Sequence, residues 1–194
     1  MRLGIISDTH GNIDAWNRAI PFFEGADLVI HAGDVLFHPP RLGWMEGYDI
    51  PAFVEALNGS SIPIVIAQGN CDSQVYEELL EMPVQSPYAL VEFEGVRIVV
   101  NHGHLLSREA MIDLARRYKA RYFISGHTHL PDLDDYGDVV LMNPGSPAIP
   151  KLQREGKPVP SIGLITEHGA RIVNVNDGSV IQELETPLHR RERR

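Results

Sequence analysis

One cysteine, Cys71, is present among 194 residues. That excludes an intrachain disulfide framework and fits a reducing, cytoplasmic setting. No apolar run approaches the roughly 18–20 residues that a membrane-crossing helix needs. The first residues pass straight into a strand-like run with one Arg and no small-residue cleavage site, so no secretory leader is expected. Positive charge is short as well. There are 17 Lys and Arg against 26 Asp and Glu, for a net charge of −9. The C-terminal residues His189 to Arg194 hold four Arg and one Glu, which leaves −12 on the rest. So acidic a body offers no basic groove for a long nucleic acid, and no membrane partner is expected. Clustered carboxylates suit divalent cations instead. The Arg-rich end reads as a solvated, disordered tail, because terminal residues are commonly poorly ordered.

An apolar fraction of 43% is that of a chain with a full core. The length fits one domain, expected over residues 1–188, with 189–194 as the tail. Residues 2–7 read as a buried strand. Residues 13–24 read as a helix, capped by Gly11 or Asn12 and kinked or shortened by Pro21. Residues 28–31 and 62–67 read as the next strands, with a helix over 51–58 between them. Ser73 is the expected cap of a short helix reaching Glu81. This βαβαβ order implies parallel strands. The intervening residues 35–50, rich in Pro, Gly and aromatics, are irregular. Their Trp44 and Tyr48 are expected to wall a pocket or to contact another subunit.

Downstream, residues 88–93 and 97–101 read as a hairpin about Glu94-Gly95. A helix over 107–118, capped by Ser107, and a strand over 122–125 follow. Five short runs, 132–136, 139–143, 161–166, 170–176 and 180–184, then read as an antiparallel meander. Asn143-Pro144-Gly145-Ser146 is a tight loop. The fold class is mixed α/β, or α+β.

Five segments share one logic: Ser7-Asp8-Thr9-His10-Gly11-Asn12, His31-Ala32-Gly33-Asp34, Gly69-Asn70-Cys71-Asp72, Asn101-His102-Gly103-His104 and Gly126-His127-Thr128-His129. Each follows a short apolar run and offers oxygen or nitrogen donors beside a Gly. Strand carboxyl ends are where open α/β sheets place their ligands. The donors Asp8, His10, Asp34, Asn70, His102, His127 and His129 suffice for two ions if one carboxylate bridges. A set of N and O donors without thiolate favours Mn²⁺, Fe, Zn²⁺, Co²⁺ or Ni²⁺. Taken singly, each of these residues also fits a turn, a cap or an exposed polar strand face.

In this order the five motifs resemble the calcineurin-like metallophosphoesterase superfamily. Gly69-Asn70-Cys71-Asp72, the short chain and Asn143-Pro144-Gly145-Ser146 resemble its small bacterial and archaeal phosphodiesterase branch, the YfcE type. The resemblance implies a two-sheet β sandwich flanked by helices, with the site at the carboxyl ends of the strands. It implies that Asp8, His10 and His129 hold one metal, that Asn70, His102 and His127 hold a second, and that Asp34 bridges them. Two divalent ions are expected, Mn²⁺ first, with Ni²⁺, Co²⁺, Zn²⁺ or Fe as alternatives.

The implied reaction is hydrolysis of a small phosphodiester by a metal-bridging hydroxide. Many relatives carry a His directly after Gly-Asn as the acid for the leaving oxygen. Cys71 occupies that position here, either as a weak acid or as a small neighbour of the site. His104 is the better candidate for that acid, and Asp72 is a candidate to orient a neighbouring imidazole or the Asn70 amide. The competing readings are a phosphomonoesterase and a non-catalytic metal-binding scaffold of the same fold that works by protein contact. A homo-dimer or homo-tetramer is implied by the resemblance and the aromatic loop.

Overall fold

The computed structural model describes residues 1–185. The expected tail, 189–194, and the expected domain end at 188 lie outside the described residues. The amino-terminal half alternates β1 (Arg2–Ile6), α1 (Ile13–Ala19), β2 (Leu28–His31), α2 (Ile50–Asn58), β3 (Ile64–Ala67), α3 (Tyr76–Leu79) and β4 (Val84–Gln85). Asn12 caps α1, its side-chain oxygen accepting from the Ala15 N–H at 2.8 Å. Pro21 ends α1 and turns the next residues, Ile20–Phe23, into a 3-10 turn. Asp49 caps α2. Ser73 does not cap α3, which starts after Val75 with no side-chain cap.

The second half adds β5 (Ala89–Phe93), β6 (Val96–Val100), α4 (Arg108–Arg117), β7 (Tyr122–Ile124), β8 (Pro131–Asp135) and β9 (Val140–Pro144). It closes with β10 (Gln153–Arg154), β11 (Lys157–Pro158), β12 (Ser161–Thr166), β13 (Gly169–Asn174) and β14 (Val180–Leu184). Two main sheets result. The first runs β14-β13-β12-β1-β2-β3-β4 and the second β5-β6-β7-β9-β8. The expected hairpin forms between β5 and β6, with Glu94 and Gly95 both at positive φ.

The expected meander is not one sheet. β8 and β9 join the second sheet, whereas β12 to β14 extend the first beyond β1. Moreover β9 lies parallel to β7, not antiparallel, because it inserts between β7 and β8. Burial explains the order. β9 is buried along its whole length and needs a neighbour on each side, while acidic β8 fully buries only Leu133 and suits an edge.

Four layers follow from strands that are apolar on both faces. Leu3, Ile5 and Ile30 of the first sheet meet Ile98, Tyr122 and Met142 of the second in the central core. Ile6, Val29 and Ile66 face the other way, onto Trp16, Phe53 and Tyr76 of the helices. Val99, Phe123 and Leu141 similarly pack on Ile112 and Ala115 of α4. The parallel triplets β1-β2-β3 and β6-β7-β9 run their carboxyl ends toward one rim of this sandwich. No helix among the described residues is long and apolar enough to cross a membrane.

A buried polar chain ties two of these strand ends together. Gly33 N–H donates to His31 Nδ1 at 3.2 Å, so His31 carries its proton on Nε2 and donates to Thr9 Oγ1 at 2.8 Å. The Thr9 hydroxyl donates to the Val35 carbonyl at 2.9 Å. His31 is fully buried, and burial pushes its pKa down to about 3. The unfolded chain takes up this proton near pH 6.5 and the folded chain only near 3, so stability is lost as pH falls through that window. In metal-free protein, denaturant unfolding at pH 7 and pH 5 is expected to show this loss. His31→Gln should flatten it by about 1 kcal/mol per pH unit. An unchanged slope would show that His31 is charged in the fold.

Candidate metal centre

Three of the five strand ends, those after β1, β2 and β7, deliver donors through backbone that ordinary residues avoid. Asp8, His10, Asp34, His127 and His129 all have positive φ, between 46° and 68°. This left-handed region costs a non-glycine residue about 1–2 kcal/mol. Of the eight such residues described, five are predicted ligands, so the strain is concentrated at the site. Glycines admit the close approaches between loops. A Cβ on Gly69 would stand 2.2 Å from Asp34 Oδ1, and one on Gly126 would stand 1.9 Å from Ser7 Oγ.

Three imidazoles are anchored alike. His10 Nδ1 lies 2.8 Å from the Phe37 carbonyl, His102 Nδ1 2.8 Å from that of Ala32, and His129 Nδ1 2.7 Å from that of Ile149. A carbonyl only accepts, so each Nδ1 carries a proton and the neutral ring presents a lone pair on Nε2. Those three Nε2 atoms converge on two buried carboxylates. His129 Nε2 is 3.2 Å from Asp8 Oδ1, His102 Nε2 is 3.3 Å from Asp34 Oδ2, and His10 Nε2 is 3.8 Å from each. His10 and His129 bring Nε2 to within 3.3 Å of each other. His102 Nε2 is buried and lacks a properly aligned hydrogen-bond partner.

Ligand atoms close enough to share an ion come from Asp8, His10 and His129, from Asp8, Asp34 and His102, and from His10, Asp34 and Cys71. Asp8 and Asp34 thus each belong to two groups. The residues fit divalent metal: an orphaned buried nitrogen faces carboxylates, and converging lone pairs need a cation or protons between them. The charge state agrees. Burial alone would raise the carboxyl pKa values, but His129 beside Asp8 and His102 beside Asp34 hold both below the usual range. Burial alone would lower His102, yet Asp34 and Asp8 push it up to about 9.

Residues 1–168 match the calcineurin-like phosphoesterase superfamily domain. The chain belongs to this superfamily. Phosphodiesterase YfcE of Escherichia coli strain K12 is 36% identical over 186 residues, 95% of this chain and 97% of its own. The solved structure of YfcE, described as a phosphoesterase, matches with a TM-score of 0.81 and 34% identity, over 95% of this chain and 99% of that one. Vacuolar Protein Sorting 29 of Cryptosporidium parvum shares the fold alone, with TM-score 0.64 at 17% identity over 95% and 98% of the two chains.

The remaining predicted residues of this phosphoesterase domain surround the cluster. Asn70 and His127 line an open cleft beside it. His127 N–H donates to both Asp8 oxygens, at 3.2 and 3.0 Å. Cys71 N–H donates to Asp34 Oδ1 at 2.8 Å, and its thiol accepts from Asn70 Nδ2 at 3.3 Å. Burial and then the Asp34 charge push that thiol up to about 12, so without metal it stays protonated. Exposed His104 packs 5.6 Å from the His102 ring, and burial and then the His102 charge lower its pKa. Asp72 touches no imidazole among the described residues. Its carboxylate accepts the backbone N–H groups of Asp34, Val35 and Gly69 at 2.8, 2.8 and 2.7 Å, which pins the β2 and β3 loops together.

The Asn143 to Ser146 loop underlies the site, where the Ser146 hydroxyl donates to the Asp8 carbonyl at 2.8 Å. The carbonyls of Phe37, Ala32 and Ile149 were not foreseeable, because any residue type supplies a carbonyl. Arg41 and Lys151, also on the cleft, lie in no motif.

Two outcomes test this geometry. His102 must shed its proton to ligate, so Mn²⁺ binding at pH 7 should release about one proton. Apparent affinity should then rise by about tenfold per pH unit below about 9, the pKa of His102. Calorimetry in buffers of different ionisation enthalpy reads this, and no proton release would remove His102 from the ligand set. Separately, Asp72→Ala strips an acceptor from three amides and should cost about 3 kcal/mol in denaturant unfolding, with Asp72→Asn losing less. Equal stability of all three proteins would show that the two loops hold without it.

Proposed function

We propose that this protein is a divalent-metal-dependent phosphodiesterase acting on small phosphodiesters. The observation that carries the reading is the convergence of three Nδ1-anchored imidazoles on Asp8 and Asp34. Asp8, His10 and His129 would hold one ion. Asn70, His102 and His127 would hold a second, with Asp34 shared between them. Mn²⁺ is the proposed metal, ahead of Ni²⁺, Co²⁺, Zn²⁺ or Fe. When bound, the ions supply Lewis-acid stabilisation of the phosphoryl oxygens and a solvent nucleophile at neutral pH.

The chain's own groups then position the ester and handle one proton. Asn70 and His127 face the cleft by which the ester enters. Two protonic side chains adjoin the cluster, the Cys71 thiol on the cleft and the His104 ring packed on His102. Neither is an effective proton donor at neutral pH: the thiol holds its proton up to about 12, and the imidazole, its pKa lowered by burial and then by His102, mostly lacks the proton it would give. Esters with good leaving groups are therefore the preferred substrates. The diester preference is supported by relatives named phosphodiesterases, YfcE and MJ0936 of Methanocaldococcus jannaschii, the latter 29% identical over 75% of this chain and 83% of its own. The acidic charge supports a small substrate over a long nucleic acid. A cytoplasmic setting is supported by the single, unpaired Cys71. Association into a homo-dimer or homo-tetramer is supported by Trp44, which is 81% exposed.

The test is metal restoration. Chelated protein receives Mn²⁺, Ni²⁺, Co²⁺, Zn²⁺ or Mg²⁺ separately and is assayed on an aryl phosphodiester and the matching monoester. Diester turnover should return with Mn²⁺, fall by more than about a hundredfold in Asp34→Ala, and decline steeply as leaving-group pKa rises. If no metal restores either activity in folded protein, the scaffold reading takes its place.

A further inference from the structure

The two backbone segments that anchor His10 and His129 each carry a cation into the cleft. Phe37, whose carbonyl holds His10, precedes Pro39, Pro40 and Arg41. Ile149, whose carbonyl holds His129, precedes Lys151, and Lys151 N–H donates to the His129 carbonyl at 3.2 Å. Arg41 and Lys151 both line the cleft and both are exposed. Among the described residues neither side chain has an ion pair or hydrogen bond. Elsewhere Arg97, Arg108, Arg116 and Arg121 are each paired to a carboxylate, while Arg18, Arg117, Lys119, Lys157 and Arg171, away from the cleft, form no ion pair among the described residues. Asp34 is the one acidic side chain on the described lining. A chain of net charge −9 thus keeps two unpaired cations at the mouth of its metal centre. Between them the walls are apolar and flat-sided, formed by Pro39, Pro40 and Tyr48 on one loop and Ile149 on the other.

A scissile phosphate held through the metal that Asp34, His102 and His129 would bind leaves these cations free for another group. Their charge suits a further anion on the same ligand, and the Pro and Tyr walls suit a flat ring. We infer that the preferred substrate is a small phosphodiester carrying a flat ring and a second phosphate, the chemistry of a nucleoside bisphosphate ester. This rests on the phosphodiesterase reading and deepens it. An uncharged alcohol arm would leave both cations unused. A polymer would need a longer basic track than one cation per loop.

The test compares the p-nitrophenyl ester of thymidine 5′-phosphate with the same ester bearing a 3′-phosphate, using Mn²⁺-loaded protein. The second phosphate should raise kcat/KM by about tenfold, mainly through KM, as two exposed ion pairs allow. Arg41→Gln and Lys151→Gln should each shrink that ratio, and Lys151→Arg should keep it. Calorimetric binding of thymidine 3′,5′-bisphosphate against thymidine 5′-phosphate should show the same preference and the same losses, without any turnover. A ratio near one, or one that survives both Gln variants, overturns the inference while leaving the phosphodiesterase reading intact. If neither ester is hydrolysed, that reading fails, and the binding comparison alone decides the second-phosphate site.

Discussion

Three imidazole Nε2 atoms, each 3.2 to 3.9 Å from an oxygen of the buried carboxylates Asp8 or Asp34, form an arrangement that does not hold itself together. Asp8 and Asp34 repel each other, and so do the Nε2 atoms of His10 and His129. Every donor must therefore be pinned from behind, by contacts that do not use the converging atoms. The three Nδ1 groups are held by backbone carbonyls. Asp8 accepts the His127 amide, and Asp34 accepts the Cys71 amide. Asp72 in turn fixes the peptide groups from which Asp34 projects. The cluster is thus preorganised by the main chain, and a cation entering it meets ligands already aimed.

Such a cluster draws on stability made elsewhere. Five residues in left-handed backbone oppose folding by several kcal/mol, at about 1–2 kcal/mol each. Burying Asp8 adds a desolvation cost, which the neighbouring His129 and His102 outweigh, holding its carboxyl below the usual range. The opposing gain comes from three apolar layers, in which β1, β2, β6, β7 and β9 are buried on both faces. At about 1.5–3 kcal/mol per fully buried large aliphatic or Phe side chain, Leu3, Ile5, Ile6, Ile30, Ile66 and Phe123 alone outweigh the strain. Strand ends are where that support is available, since a rigid strand precedes each strained residue.

Much of this was legible in the chain. Short apolar runs ending in Asp, Asn or His beside Gly located the site, because rigid strands and positive-φ positions both leave composition signals. Gly33 shows why. At φ +102° it lies so near Gly69 that a Cβ would stand 2.6 Å from the Gly69 amide nitrogen. Legibility ended where one pattern serves two partners. The run 139–143 is continuously apolar up to Asn143, like any buried strand, and nothing in it says that β7 is its parallel neighbour. β4, β10 and β11, two residues each, are too short to show a period. The part Asp72 plays was hidden for another reason: its partners are main-chain amides, which every residue owns.

The fold alone does not decide what the chain does. The site does better. A protein working through its outer surface gains nothing from left-handed backbone at Asp8, His10 and Asp34, which lie out of reach of any partner chain. Nor does it gain from a buried His102 ring set 3.3 Å from the Asp34 carboxylate. A structural metal could employ the donors, but it would be enclosed. Here Asn70 and His127 leave one side of the cluster open to the cleft. An open coordination side is the feature that distinguishes metal sites that react from those that hold a fold together. Strain, converging donors and an open side favour chemistry at this centre over a purely structural role.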